Sequence, residues 1–334
     1  MTDAYGTAAL PRPTLLVGGY GYRNAGDEAM LSGLLDLLGR DETSVVSRAP
    51  AETTARHGVR AVSIGGAPAA MARHRSLVIG GGGLFGRDMG ALGRLLPAAG
   101  ILAAATGRPV ALAGIGVDDD MPRSSRWLLA KLGPRARSVV VRDEASRRVL
   151  AGLGVAASVE PDLSSLVQSA GRPAGEQLLR SAGLEPARRP VVGLCLTAVN
   201  ATLVASMRQA ILEAVDARPD LDFCLIPMSQ HPFVATHNDE ILARSLAVEC
   251  PRLRVLVPPD DPTLLLGVFE ALTAAVCMRY HSLLFADRAG IPIIGMAYAE
   301  KCRHWLSERG LEPVEPTSAA LLAGLGGVLV RTAA

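Results

Sequence analysis

Arg279, Tyr280 and His281 open the stretch "RYHSLLFADRAGIPIIGMAYAEK", which closes on Lys301. A guanidinium, an imidazole and an ammonium within one short segment supply cations for a small anion, together with a group that exchanges protons near neutral pH. The lysine is a departure from habit, because the chain writes only two of its thirty-four Lys and Arg residues as lysine, at 131 and 301. Two glycine-rich stretches add further candidates. "GGYGYRNAGDEAM" brings Asn24 and Asp27 behind Gly18, Gly19 and Gly21, and "SLVIGGGGLFGRD" brings Gly81, Gly82 and Gly83 with Arg87 and Asp88. Backbone amides exposed in such turns suit an anion or a polar ligand. "SVVVRDEAS" adds Arg142, and "VEPDLSSL" more weakly Asp162.

Each candidate has a structural reading beside the chemical one. Asn24 and Asp27 are good helix caps. The glycine run also suits tight packing of a strand against a helix. Arg142 could pair with a carboxylate while Asp143 caps the next helix. Lys301 could be a solvated residue opening the helix "KCRHWLSERG". Gly81, Gly83 and Gly86 satisfy GxGxxG literally, yet no acidic residue follows at the distance that would hold a ribose. The chain has no HExxH, no GxSxG elbow and no papain-like Cys and His pair, so no metal is expected and no cofactor.

The elements that must position these residues read as an alternation of strands and helices. "TLLVGG", "TSVVS", "RAVSI", "SLVIGGGG", "PVALAGIG" and "SVVVRD" precede a Pro, Gly and Arg-rich stretch. "PVVGLCLT", "LDFCLIP", "RVLVP", "AAVCM" and "PIIGMAY" follow it. Short apolar runs without alternation, spaced by helix-length segments, predict strands buried on both faces of parallel sheets. The expected architecture is α/β: an N-terminal Rossmann-like domain over 12–168, a linker over 169–189 and a C-terminal Rossmann-like domain over 190–334, with the two facing across a cleft. Ligands of open parallel sheets bind beyond the carboxyl ends of strands, and Arg279, His281 and Lys301 fall there.

Composition agrees with two domains. The chain has 334 residues, 49% of them hydrophobic, and a net charge of +2 with scattered cations. That charge leaves no footprint for a nucleic-acid backbone. Five widely spaced cysteines without a CxxC pair predict reduced thiols rather than a disulfide framework or a zinc site. "MTDAYGTAALPRP" lacks the basic and apolar regions of a signal peptide, and no apolar run has the character of a membrane span, so a cytoplasmic location is expected. Transient contact with a membrane surface remains open.

"GYGYRNAGDEAML", "VIGGGGLFGRD" and "RYHSLLFADRAGIPIIGMAYAEK", in this order, resemble the polysaccharide pyruvyl transferase family, with "VVVRDEAS" and "PMSQHPFVATHNDEILARSLA" as weaker support. The resemblance runs from about Leu15 to Lys301. It implies a GT-B-like fold and transfer of the pyruvyl group of phosphoenolpyruvate, as a ketal, onto two hydroxyls of a sugar. It places Arg279 and His281 in the donor site with Lys301 near it, His281 being the candidate general acid. The glycine loops and Asp27 would shape the facing wall, and the C-terminal domain would take the donor while the N-terminal one takes a glycan, glycolipid or small-sugar acceptor. The family's usual "YDPK" is "YAEK" here, and Arg87 stands between the glycine run and Asp88, departures that bear on the acceptor. Two alternatives stand beside this reading: a nucleotide-sugar glycosyltransferase on the same scaffold, and a non-catalytic sugar-binding protein.

Overall fold

The computed structural model describes residues 4–199 and 201–332, the side chains of 88, 201, 202 and 328–332 aside. Two compact units divide the chain: residues 1–22 with 26–167, and residues 23–25 with 168–334.

The first unit carries a seven-stranded parallel sheet. Its strands are β1 (Thr14–Val17), β2 (Thr43–Ser47), β3 (Arg60–Ser63), β4 (Ser76–Phe85), β5 (Val110–Val117), β6 (Ser138–Val141) and β7 (Ser158–Val159), in the order β3-β2-β1-β4-β5-β6-β7. Helices α1 (Ala25–Leu38), α2 (Pro50–His57), α3 (Ala67–Arg73), α4 (Leu92–Ala105), α5 (Arg123–Leu132) and α6 (Glu144–Ala151) connect them. Side chains alternate between the two faces of each strand, so Leu16 joins the core under α1 while Leu15 and Val17 join the core under α3 to α6. The near-continuous apolar runs exist because both faces are covered.

The second unit has a five-stranded parallel sheet in the order β10-β9-β8-β11-β12. Its elements are α7 (Arg172–Ser181), β8 (Val191–Cys195), α8 (Ala201–Ala217), β9 (Asp222–Leu225), α9 (Asp239–Glu249), β10 (Leu253–Val255), α10 (Pro262–Ala271), β11 (Ala274–Cys277), α11 (Tyr280–Arg288), β12 (Ile293–Gly295), α12 (Glu300–Glu308) and α13 (Ser318–Thr332).

Residues 169–189, expected as a linker, are instead an integral part of this second unit. Gly171 takes a φ of +86° and Pro173 stands in the first turn, so the punctuation that reads as a break starts α7. A Cβ on Gly175 would lie 1.8 Å from the Gly267 carbonyl, so α7 and α10 touch backbone to backbone.

Chain direction makes a switch in each sheet. From β1 the first sheet grows one way through β2 and β3 and the other way from β4; the second does the same at β8 and β11. Crevices beyond the carboxyl ends of strands at such switches are where open α/β sheets bind ligands. The loop after β1 holds the first glycine motif, β4 itself carries the second glycine run, and the segment after β11 holds Arg279 and His281.

Candidate functional site

In the second unit, β11 ends at Cys277 and α11 starts at Tyr280, with Arg279 as its N-cap residue. The Arg279 carbonyl accepts hydrogen bonds from the Ser282 amide at 3.0 Å and the Ser282 hydroxyl at 2.6 Å, which fixes this first turn. His281 is buried, its ring edge-on to Tyr280 at 5.6 Å and tilted against Phe285 at 6.2 Å between centroids. The imidazole is therefore held by packing in the opening turn of a helix.

Arg279 does not stand alone. Its Nε donates to Asp239 Oδ2 at 3.0 Å and its terminal nitrogen to Oδ1 at 2.7 Å, a fork-to-fork pair. Asp239 opens α9 and is 1% exposed, while Asn238 caps that helix by accepting from the Glu240 amide. The Ser229 amide donates to Asp239 Oδ2 at 3.1 Å, and the Asp239 amide donates to the Ser229 carbonyl at 2.7 Å. Burial pulls the Arg279 pKa down, and the Asp239 carboxylate more than offsets this, so the guanidinium is held charged above its ordinary range. Two of its five N–H bonds are spent on Asp239, and the Tyr298 side chain is a further hydrogen-bonding partner.

A second neighbour is His231. Its Nδ1 accepts from the Phe233 amide at 3.2 Å and the Val234 amide at 3.0 Å, which keeps a lone pair there and places the neutral ring's proton on Nε2. Burial first, then His237 and Arg279, push its pKa below 6.5. Neither Asp239 nor His231 was among the sequence candidates. Asn238 and Asp239 before an apolar helix are a legible start signal, but the pairing with Arg279, forty positions on, is not.

Lys301 is the second residue of α12, half-buried and six residues past the end of β12. Among the described residues it has no ion-pair partner. A cation in the first turn of a helix works against the helix dipole, so this placement is not explained by helix stability.

In the first unit the four glycines lie inside β4, which runs on to Phe85, and α4 opens only at Leu92. They do not form a phosphate-cradling turn into a helix. Gly81 and Gly82 take φ of +69° and +110°, and the β4–β5 register shifts between Gly82 and Phe85. A Cβ on Gly81 would lie 3.1 Å from the Tyr20 hydroxyl, and one on Gly82 would lie 3.2 Å from Asp27 Oδ1. The close neighbours are thus α1 and Tyr20, whose hydroxyl donates to the Gly80 carbonyl. Burial, with Asp27 and Glu28 nearby, drives the Tyr20 pKa well above its ordinary value. Asp27 sits half-buried in the first turn of α1 beside Gly82, and Gly83 is half-buried within β4.

Arg142 follows β6 and is buried with Asp143 at 3.6 Å and Asp162 at 3.6 Å, the carboxylate pairing the sequence left open. Asp143 caps α6 by accepting from the Ser146 amide at 2.7 Å. Asn24 belongs with the second unit, bridging antiparallel to Ser229, with Ala25 donating to the Met228 carbonyl at 2.9 Å. The side chain of Asp88 lies outside the described residues. Among the described residues no three His, Cys, Asp or Glu side chains converge as a metal site, and no helix is long and apolar enough to cross a membrane.

Solved structures share this fold. UDP-GlcNAc 2-epimerase from Neisseria meningitidis, bound to UDP-GlcNAc, matches with a TM-score of 0.63 at 10% identity over 94% of this chain and 90% of that one. Anabaena Alr3699/HepE in complex with UDP-glucose matches with a TM-score of 0.61 at 14% identity over 96% and 90%. At these identities the likeness establishes two Rossmann-like units of the GT-B class. No match is found among curated proteins. The family model for polysaccharide pyruvyl transferase matches residues 24–300, from the Asn24 motif to the residue before Lys301. That span covers most of both units, and the chain belongs to the polysaccharide pyruvyl transferase family.

Proposed function

We propose that the chain transfers the pyruvyl group of phosphoenolpyruvate onto two hydroxyls of one sugar, forming a ketal and releasing phosphate. What supports this is the placement of Arg279 and His281 in the opening turn of α11, at the switch-point end of β11, with Lys301 in the helix following the neighbouring strand β12. Phosphoenolpyruvate presents a carboxylate and a phosphate on a small frame, and cations of different shape suit the two groups. His281 delivers a proton to the methylene carbon, and an oxocarbenium-like centre forms at the carbon bearing the phosphate. A first sugar hydroxyl adds there and its proton returns to His281. The carbon–oxygen bond to phosphate breaks, the second hydroxyl closes the ketal, and its proton leaves with phosphate. Arg279, already steadied by Asp239, grips an oxyanion with its remaining N–H bonds, and Lys301 neutralises the other anionic group. Asp27, Gly81, Gly82 and Gly83 at the first unit's switch point serve the acceptor side, with Asn24; Arg142 holds the end of β6 by its carboxylate pairs, and Asp88 is kept as an acceptor-side candidate.

The location belongs to the same proposal: a cytoplasmic enzyme has its donor at hand, and none of the five cysteines is in a disulfide. Solved structures of the same fold bind UDP-sugars, which supports a nucleotide-sugar glycosyltransferase as the second reading. Incubating the purified chain with phosphoenolpyruvate and a panel of glycosides, following phosphate and the sugar's mass, separates the readings. Phosphate release with a gain of one pyruvate less one water is expected. Nucleotide release from a UDP-sugar with phosphoenolpyruvate untouched would overturn the proposal, and a panel that is bound but never converted would favour a sugar-binding protein.

A further inference from the structure

In the first unit, α4 and α5 lie side by side and parallel. A Cβ on Gly93 would be 3.3 Å from Ser125 Oγ, and one on Gly100 would be 2.8 Å from the Leu132 side chain, so small residues let the two helices close on each other. Leu96, Ala103, Leu129 and Leu132 point into the core. The outward positions are unusual for a solvated face: Leu95 is 57% exposed, Leu102 62% and Trp127 62%. Ala98 and Ala105 share that surface of α4. Of the large hydrophobic side chains exposed among the described residues of this unit, only Ile64 lies elsewhere.

The charges on α4, α5 and the turn that follows α5 are all cationic, the nearest acids being Asp118, Asp119 and Asp120 in the loop before α5. Residues 89–117 and 121–142 contain no Asp or Glu. Arg94, Arg123, Lys131, Arg135 and Arg137 are all exposed. Arg126 is matched by Asp119 at 2.8 Å, in the loop that precedes α5, and the one acid of the neighbouring α6, Glu144, is matched by Arg147 at 2.7 Å. The opposite layer is different: α1 carries Asp27, Glu28 and Asp36 and no cation. The helices that expose leucine and tryptophan are thus cationic, as is the acid-free stretch 53–87 with its exposed Arg60, Arg73 and Arg75.

We propose that this outer face of α4 and α5 docks the protein reversibly on an anionic lipid bilayer. A second copy of the chain is a poor occupant, since a self-complementary contact would set these cations against one another. A nucleic acid would be met by the cations alone and would leave the leucines without use. A bilayer interface uses both kinds of residue: Trp sits at the headgroup level, leucines reach below it, and Lys131, whose Nζ is 6.0 Å from the Trp127 ring centroid, lies along the ring with its ammonium free to stay at the surface.

The test is co-sedimentation of the purified full chain with vesicles of phosphatidylcholine alone and of phosphatidylcholine with phosphatidylglycerol, at low and high salt. Binding to the anionic vesicles only, weakened by salt, is expected. A cation near such a surface contributes about fivefold to partitioning, so the double variant Lys131→Glu/Arg135→Glu should lose at least about tenfold. Trp127→Ser should also release the protein, while Val248→Ser on α9, an 85% exposed position in the other unit, should change nothing. The four positions are on the surface, and unchanged circular dichroism confirms folding of each variant. Absence of binding to anionic vesicles at low salt, or binding that ignores both α5 variants, would overturn the proposal. So would sedimentation velocity showing a dimer that Trp127→Ser dissolves.

Discussion

Asp239→Asn removes a charge without changing shape, at a position where the structure makes the charge matter. The carboxylate is 1% exposed, and its two oxygens take two N–H bonds from Arg279 and one from the Ser229 amide. The asparagine carbonyl can still accept from one donor, but its NH2 faces the guanidinium, which is left as a largely buried charge. Removing one partner of a buried pair costs about 3 to 5 kcal/mol, and the conserved shape puts this change near the lower end. For a cooperative unit of this size each kcal/mol moves Tm by about 2 to 4 °C, so about 3 kcal/mol predicts a fall of roughly 6 to 12 °C. Thermal unfolding followed by circular dichroism reads this directly. Because burial pushes the Asp239 carboxyl pKa up against the pull of Arg279, the pair is held at a cost. The double variant Asp239→Leu/Arg279→Met should therefore recover much of the loss. A Tm within about 2 °C of the parent for Asp239→Asn alone, inside the shift of a single kcal/mol, would refute the view that this pair organises the end of β11.

His281→Ala should lower turnover by about 100- to 10,000-fold, the usual contribution of a general acid, with phosphate release as the readout; parental turnover would remove His281 from the chemistry. Lys301→Ala should weaken phosphoenolpyruvate binding by about 1.5 to 3 kcal/mol by calorimetry, and Lys301→Arg should also be impaired, because a planar fork replaces a compact ammonium. His231, with its pKa depressed below 6.5 by burial, His237 and Arg279, resists protonation more than it does in the unfolded chain. Its contribution to stability is intact above 6.5 and falls as pH drops from there through the depressed folded value, so His231→Gln should flatten the Tm profile across that window. Gly175→Ala forces a methyl to 1.8 Å from the Gly267 carbonyl and should destabilise the second unit by about 1 to 3 kcal/mol in denaturant unfolding.

The apolar runs made eleven of the twelve strands among the described residues legible, most because strands buried on both faces must be written as such, and the half-buried edge strand β3 from its short run alone. The exception, β7, is two residues at the sheet edge, Ser158 exposed and Val159 half-buried, and carries no such run. The helix α7 was read as a linker because the glycines and prolines that start it, and Gly175 that lets it touch α10, are also the marks of a break. The glycine run after "SLVI" was legible as a place of close approach, but not as strand, since the approaching groups come from α1 and Tyr20. The placement of Arg279, His281 and Lys301 beyond the ends of β11 and β12 was legible from the order of the apolar runs. Asp239 and His231 were not, because their relation to Arg279 is made by the fold, and sequence separation hides it. Asn24, read with the first glycine loop, pairs with Ser229 for the same reason.

The central claim is that the second unit's strand-end residues protonate phosphoenolpyruvate on the way to a sugar ketal. Running the reaction in deuterium oxide and examining the product by NMR and mass spectrometry tests it most directly. A ketal methyl group carrying a single solvent deuterium, formed in step with phosphate and lost with His281→Ala, is expected. A product without deuterium, or a sugar modified only when a nucleotide-sugar is supplied, would contradict it.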